Sequence, residues 1–408
     1  MKTLLHNAKI INGLGGPILH GWVLLEDSAI KAVGETEPLP QDSDRTIDLA
    51  GKTLLPGLID CHVHMVLDAS PDPANRLLPM SEAEMALTAS VHARQTLEAG
   101  ITTVRDLGCM HHVGLRLRDA IQNGLVPGPR MICAGQMICM TGGHGWQIGL
   151  QADGPSEVRK AVRKQLRAGA DVIKLMATGG ICTDGVDPGQ AQLTIEELRA
   201  GIEEAHKAGR KTSAHAQGLQ GVKNAVQAGI DTIEHGMQLD DEVLGWMQEK
   251  GVFLVPTFSA GAQMIRHGEK AGIPSFMVKK SAENRQSRLA SARKAIDKGV
   301  MVAFGTDAGT PYNLHGQNAY ELQEMVSVGM SPDQAICAAT STAARVLGLE
   351  PLLGSIEPGK QADILVVEGD PLADISILQQ KSRITAVIQK GRFVADSDTL
   401  TLTQGEPR

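Results

Sequence analysis

Six times in its central stretch the chain repeats one phrase: a run with helical character, a glycine, then a short β-branched run. The instances are "QTLEAGITTVRD", "KQLRAGADVIKL", "EAHKAGRKTSAH", "NAVQAGIDTIEH", "WMQEKGVFLVPT" and "AIDKGVMVAFGT", turning on Gly100, Gly169, Gly209, Gly229, Gly251 and Gly299. Glycine just past a helix accepts the left-handed conformation that ends it. The apolar runs that follow suit parallel strands covered on both faces. Adding "LLPGLIDCH" and "PRMICAG" gives eight strands, opening near residues 54, 101, 129, 171, 211, 231, 252 and 301. Helical segments lie between most of them; "TIEELRAGIEEAHKAG" opens with Thr194 and has Glu197 three residues on, a capping box. Eight β-α units predict an α/β fold of the (β/α)8 TIM-barrel type. An open doubly wound sheet fits less well, because the ligand-type residues described below would have to converge from distant strands. There is also no Gly-x-Gly-x-x-Gly after the first strand and no Walker sequence.

The two ends read differently. Residues 1–53 and 350–408 are strand-and-turn text broken by Gly and Pro, which predicts one small β-sandwich domain built from both termini and leaves 54–349 to the barrel. A chain of 408 residues exceeds one ordinary core, in keeping with that division. The stretch 257–300 lacks a clear strand: "FSAGAQMIRHGEKAGIPSF" reads as irregular and "SAENRQSRLASARKAIDKG" as helix, together a lid or specificity insertion.

Composition narrows the function. The net charge of −7 and ten aromatics (3 Trp, 2 Tyr, 5 Phe) offer neither a basic footprint nor a stacking platform for nucleic acid. No run reaches the roughly 20 apolar residues of a membrane span, and no leader pattern is visible. Six cysteines without Cys-x-x-Cys spacing suit reduced thiols. The expectation is a cytoplasmic enzyme acting on a small molecule.

Its chemistry is concentrated at strand ends. "GLIDCHVHM" carries His62 and His64, "DVIKLMATGG" Lys174, "TSAHA" His215, "TIEHG" His235 and "VAFGTDAG" Asp307. Residues i and i+2 of a strand share a face, so His62 and His64 point inward together. The C-terminal strand ends form the face on which barrel enzymes carry their sites. Neutral imidazoles and a carboxylate suit divalent metals: zinc, but also manganese, cobalt or iron. Lys174 needs a separate account, since an ammonium has only donors. Among cations its pKa falls, and the neutral amine adds carbon dioxide to give a carbamate that can bridge two metals. The other readings are a lysine paired with an acid or one that binds an anionic substrate. Asp307 is suited to ligate a metal and to carry a proton from water to a leaving amine. His144, flanked by Gly142, Gly143 and Gly145, is placed to polarise a substrate carbonyl or hold a carboxylate. His6, His20, His92, His206 and His267 fall in termini, helices or loops and read as inert.

From "KTLLPGLIDCHVH" to "GSIEPGKQADILVVEGDPL" the chain resembles the amidohydrolase superfamily. With "MTGGHG" and "ATGGICTDG" it is similar to the imidazolonepropionase-related group, which includes metal-dependent Xaa-Pro dipeptidases and Xaa-Arg/Lys carboxypeptidase-like enzymes. The resemblance implies a first metal on His62 and His64 and a second on His215 and His235. It also implies an N6-carboxylated Lys174 bridging them, and Asp307 as the last-strand aspartate. Gln217 stands where some relatives have a tyrosine two residues after the strand-five histidine, so one substrate-polarising contact differs. The implied function is a binuclear zinc hydrolase cleaving an amide or peptide bond, in an Xaa-Pro dipeptide or an N-acyl amino acid, and working as a homo-oligomer. The alternative is a cyclic amide hydrolase of imidazolonepropionase or hydantoinase type; a deaminase or a non-catalytic scaffold fits the filled ligand set less well. No arginine can be placed in the pocket to bind a substrate carboxylate.

Overall fold

The computed structural model describes residues 1–35 and 38–396, with the backbone of the pair 402–403. The rest of the expected C-terminal segment to 408 lies outside the described residues. The chain forms a mixed α/β fold with one large mixed sheet and two parallel sheets.

The nine-stranded sheet takes Lys2–Ile10, Leu19–Glu26, Ala29–Glu35, Arg45–Asp48 and Thr53–Pro56 from the N-terminal side. From the C-terminal side it takes Ile364–Val367, Ile384–Gln389, Arg392–Asp396 and Leu402–Thr403. Alternate positions supply its own core, with Leu5, Val23, Leu54, Ile364 and Ile388 fully buried.

Of the parallel sheets, one pairs Leu58–Val63, Ile101–Asp106 and Arg130–Cys133. The other runs through Val172–Met176, Lys211–Ala216, Thr232–His235 and Phe253–Val255, extended by the short strands Ile138–Cys139 and Leu150–Gln151. Backbone hydrogen bonds stitch the two together at both edges. Asp171 N–H donates to Cys133 C=O at 2.8 Å, Leu254 N–H to Met301 C=O at 2.9 Å, and Cys61 N–H to Phe304 C=O at 3.0 Å. These strands are buried on both faces, and their apolar members Val104, Ile173, Leu175, Ile233 and Leu254 have no exposure. All six punctuating glycines hold φ between 67° and 97°, so each ends its helix as the sequence predicts. The Thr194–Glu197 capping box is formed, with bonds of 2.7 and 3.2 Å.

Three expectations need correction. The run opening near 54 divides between sheets: Thr53–Pro56 pairs with Ile364–Val367, and the parallel strand begins only at Leu58. Gly57 makes the switch, because a Cβ there would stand 2.3 Å from Thr102 Oγ1. The run near 301 forms only isolated bridges, Val302 to Leu254 and Ala308 to Val63. The Phe304 N–H between them turns away to Ala338 C=O. Finally, the first half of 257–300 is not irregular. Phe258–His267 is a helix, followed after a short turn by Ser275–Asp297. Thr257 gives the first of these no side-chain cap. The buried Glu321 does so from a distant helix, accepting the N–H groups of Phe258 and Ser259 at 2.8 and 2.6 Å.

Candidate active site

Parallel register brings the ligand-type residues to one end of the sheets. Met176 lies opposite His215, and Ala216 opposite His235. The imidazoles form a contiguous chain. Ring centroids are 5.4 Å apart for His62 and His64, 5.2 Å for His62 and His235, 4.5 Å for His215 and His235, and 4.4 Å for His144 and His215. All of these rings, with Lys174, Gln217 and Asp307, line one pocket, so the structure assembles every candidate residue named from the sequence.

Hydrogen bonding decides which ring nitrogens face inward. The Gly108 carbonyl can only accept, so the His64 Nδ1 beside it at 3.0 Å carries the proton and Nε2 is left with a lone pair. Glu234, buried beside Arg105, does the same for His62 Nδ1 at 2.8 Å. The two Nε2 atoms then converge on a single oxygen, Asp307 Oδ1, at 3.4 and 3.3 Å. Lone pairs facing a carboxylate repel unless a proton or a cation lies among them. Burial and the nearby Lys174 push His62 down to about 4, so it brings no proton. Burial also opposes charge on His64, but the hydrogen bond and charge of Asp307 outweigh it and raise its pKa. Ligand atoms of His62, His235 and Asp307 lie within 4.8 Å of one another. This donor set fits a divalent cation.

Lys174 is 2% exposed, and its Nζ has no hydrogen-bond partner among the described residues. Burial, with Arg105, lowers its pKa to about 8 against the opposing pull of Glu234 and Asp307. A buried, unpartnered amine in the middle of the Val172–Met176 strand, lining the same pocket as the imidazoles, fits a group that is chemically extended or coordinated in the working protein.

Beneath the rings lies a polar layer that the sequence analysis did not single out. Glu234 accepts from Arg105 at 2.8 Å, Ser213 at 2.8 Å and Thr232 at 2.6 Å as well as from His62. Asp60 accepts from Thr306 Oγ1 at 2.6 Å and Asn318 Nδ2 at 2.7 Å, and tethers the His62 N–H at 3.0 Å. Such partners fix ring orientation in metal sites. Two candidate ligands also sit in left-handed backbone, His235 at φ 73° and Asp307 at φ 62°. Strain of this kind gathers at functional sites.

The pocket wall adds Met137, Met176, Met264 and Arg288. Arg288 is an arginine that the sequence reading could not place in the pocket. It stands 6% exposed on Ser275–Asp297, donates to Thr257 C=O at 3.1 Å, and has no partner for its Nε among the described residues. Its signal was present in the sequence: Met277, Ala292 and Ala295 define the buried stripe of that helix, and Arg288 lies on it. Gln217 presents a buried, unpartnered Oε1. The histidines read as inert lie elsewhere. His6 and His20 fall in the large sheet. His92 stacks on His315 at 4.4 Å, His267 stacks on Tyr312 at 4.3 Å, and His206 meets Asp231 at 2.8 Å.

The profile of the amidohydrolase family matches residues 53–394. The chain belongs to that family. This amidohydrolase is 32% identical to the ochratoxinase of Aspergillus niger, over 96% of its own length and 86% of the relative's. It is 24% identical to the imidazolonepropionase of Symbiobacterium thermophilum, over 91% of its length and 87% of the relative's. Among solved structures it superposes on a Xaa-Pro dipeptidase with bound methionine in the active site, with a TM-score of 0.88 at 36% identity. That match covers 96% of this chain and 99% of the other. The amidohydrolase therefore has relatives in the imidazolonepropionase and Xaa-Pro dipeptidase group, and is a hydrolase. No helix among its described residues is long and apolar enough to cross a membrane.

Proposed function

We propose that this amidohydrolase is a binuclear metal-dependent dipeptidase or N-acyl amino acid hydrolase, with Xaa-Pro dipeptides as first choice. In this reading the stitched parallel sheets are a (β/α)8 barrel over 54–349, and 1–53 with 350–408 form a separate β-sandwich. His62 and His64 would hold one divalent ion, His215 and His235 a second, with a carboxylated Lys174 between them and Asp307 completing the set. Zinc suits these donors. When bound, such ions supply Lewis acidity toward the scissile carbonyl and the attacking water. The observation that carries the proposal is the convergence of the His62 and His64 Nε2 atoms on one oxygen of Asp307 beside the orphaned Lys174 amine.

The protein's own groups supply the rest. Asp307 is held well below the usual carboxylate range: burial opposes this, but His62, His64 and Lys174 outweigh it, so it is ionised, the state a proton acceptor starts from. It takes that proton from the attacking water and delivers it to the leaving nitrogen as the C–N bond breaks and the C–O bond forms. Burial lowers His144 to about 3, leaving a neutral imidazole to hydrogen-bond the substrate carbonyl or carboxylate. Gln217 Oε1 accepts a substrate N–H. Arg288, with its unused Nε, binds the substrate carboxylate, and the methionine wall accommodates apolar side chains of varied shape.

The test is a hydrolysis screen of zinc-reconstituted protein in bicarbonate over dipeptides, N-acyl amino acids and cyclic amides, with metal counted per chain. Two ions and cleavage confined to carboxylate-bearing amides are expected; ring opening without dipeptide cleavage would reject the reading in favour of a cyclic amide hydrolase. Arg288→Met should raise KM roughly tenfold or more for free-carboxylate substrates, the loss expected for a charged hydrogen bond. A C-terminally amidated substrate should not respond, and equal effects on both would remove Arg288 from the site.

A further inference from the structure

Among the other cations of the Ser275–Asp297 helix is Lys280, which no part of the proposed chemistry uses. Its ammonium donates to the carbonyls of Val186 at 2.6 Å, Thr183 at 2.7 Å and Gly180 at 3.3 Å. An ammonium has three protons, and here all three go to one loop. Among the described residues no carboxylate comes within ion-pair distance of it; Asp184 and Asp187 act on it only from further away. The ammonium also lies 5.2 Å over the Phe276 ring of its own helix, but every hydrogen bond this half-buried lysine makes goes to backbone carbonyls, which fastens that backbone to the helix.

The fastened loop has a particular task. Thr183 Oγ1 accepts the Gly145 N–H at 3.2 Å and meets His144 Nδ1 at 2.8 Å. Gly180 runs so close under the same ring that a Cβ would stand 2.2 Å from His144 Nε2. One residue earlier, the Gly179 carbonyl accepts from His215 Nε2 at 2.9 Å, which turns Nδ1 of His215 into the nitrogen with a free lone pair. A single loop therefore sets two imidazoles that touch each other.

We propose that Lys280 is a positioning residue: by clasping the 180–186 loop to the Ser275–Asp297 helix, it holds Thr183 where Thr183 orients His144. Since the same helix carries Arg288, the clasp also sets the span between the imidazole and the arginine, and with it the length of substrate that reaches both. The assignment rests on His144 being a substrate contact, as in the proposed function.

The experiment compares Lys280→Met, Lys280→Arg, Thr183→Val and the Lys280→Met/Thr183→Val double variant. Long-range proton–nitrogen NMR of the histidine rings, with the His144 signal assigned from His144→Asn, reports the tautomer without any substrate. One tautomer is expected in the parent and a mixture in Lys280→Met and Thr183→Val, with Lys280→Arg restored toward the parent. In turnover, kcat should fall roughly ten- to hundredfold in Lys280→Met, the range for lost supporting contacts, with KM nearly unchanged. The double variant should be no worse than Thr183→Val, because both act through one line of contacts. A parent-like His144 spectrum in Lys280→Met, or additive losses in the double variant, would overturn the clasp. Should Lys280→Met fail to fold, Lys280→Gln, too short to reach all three carbonyls, decides the same question, and a parent-like His144 spectrum in it overturns the clasp. Because the spectra need no turnover, a clasp supported by NMR in a protein that cleaves no amide would sink the proposed function alone.

Discussion

Glu234→Gln tests the layer beneath the site. In the folded protein four donors close on this carboxylate: Arg105, Ser213 and Thr232 on one oxygen, His62 Nδ1 on the other. The side chains of Arg105 and Glu234 are 2% and 0% exposed, so solvent cannot replace a lost partner. Glutamine keeps one acceptor oxygen and brings two N–H donors, which leaves either the guanidinium or the imidazole facing a donor. Removing one member of a buried ion pair costs about 3–5 kcal/mol. With an unfolding entropy of about 2.1 cal/mol/K per residue, a loss of about 4 kcal/mol over 408 residues lowers Tm by roughly 5 °C. Differential scanning calorimetry measures it. The pH dependence has a definite sign. Burial would raise the Glu234 pKa, but Arg105, the His62 hydrogen bond and Lys174 outweigh it and hold the folded value below the ordinary 4.5. The contribution of the carboxylate is therefore full above about pH 4.5 and is lost as pH falls below it. Parent and variant should converge on acidification. The double variant Arg105→Met/Glu234→Leu, with no charge left buried, should regain most of the stability yet bind metal roughly ten- to hundredfold more weakly, because His62 has lost its orienting partner. A Glu234→Gln protein that melts with the parent at neutral pH would refute this account of the layer.

Two further predictions concern the site itself. Asp307→Asn should lower kcat by a factor on the order of 100 to 10,000, as expected for loss of a general base, while metal content measured by plasma mass spectrometry stays near that of the parent; near-normal turnover would show that another group carries the proton. Lys174→Ala should lose metal and activity, and propionate should restore part of both by supplying the missing carboxylate. In the parent, bicarbonate-dependent metal loading should climb with pH and level off above about 8, where the Lys174 amine is uncharged; a flat profile would exclude carbamate formation as the limiting event.

The ligand-type residues were legible in the sequence because a strand has a simple parity: His62 and His64 must share a face, and parallel register must bring His215 and His235 to the same end. The glycine punctuation and the Thr194–Glu197 box were legible because both are local. What escaped depends on distant partners. Ser259 and Gly261 weaken the helical signal of Phe258–His267, and the cap that compensates them comes from Glu321, far along the chain. Gly57 looks like any turn glycine until Thr102 is packed against it. Glu234 reads as the polar neighbour of a candidate ligand, and only the approach of Arg105 from another strand turns it into the keystone of the buried layer.

The left-handed backbone at His235 and Asp307 has an evolutionary corollary. Each non-glycine residue held at such angles forgoes about 1–3 kcal/mol, and glycine at either position would recover much of it while deleting a candidate ligand. Selection for robustness and selection for turnover therefore pull these two codons in opposite directions. Were a descendant of this chain released from its substrate, the backbone would favour glycine at both positions, and only the packing of the two side chains, such as the His235 bond to Thr257, would hold them in place.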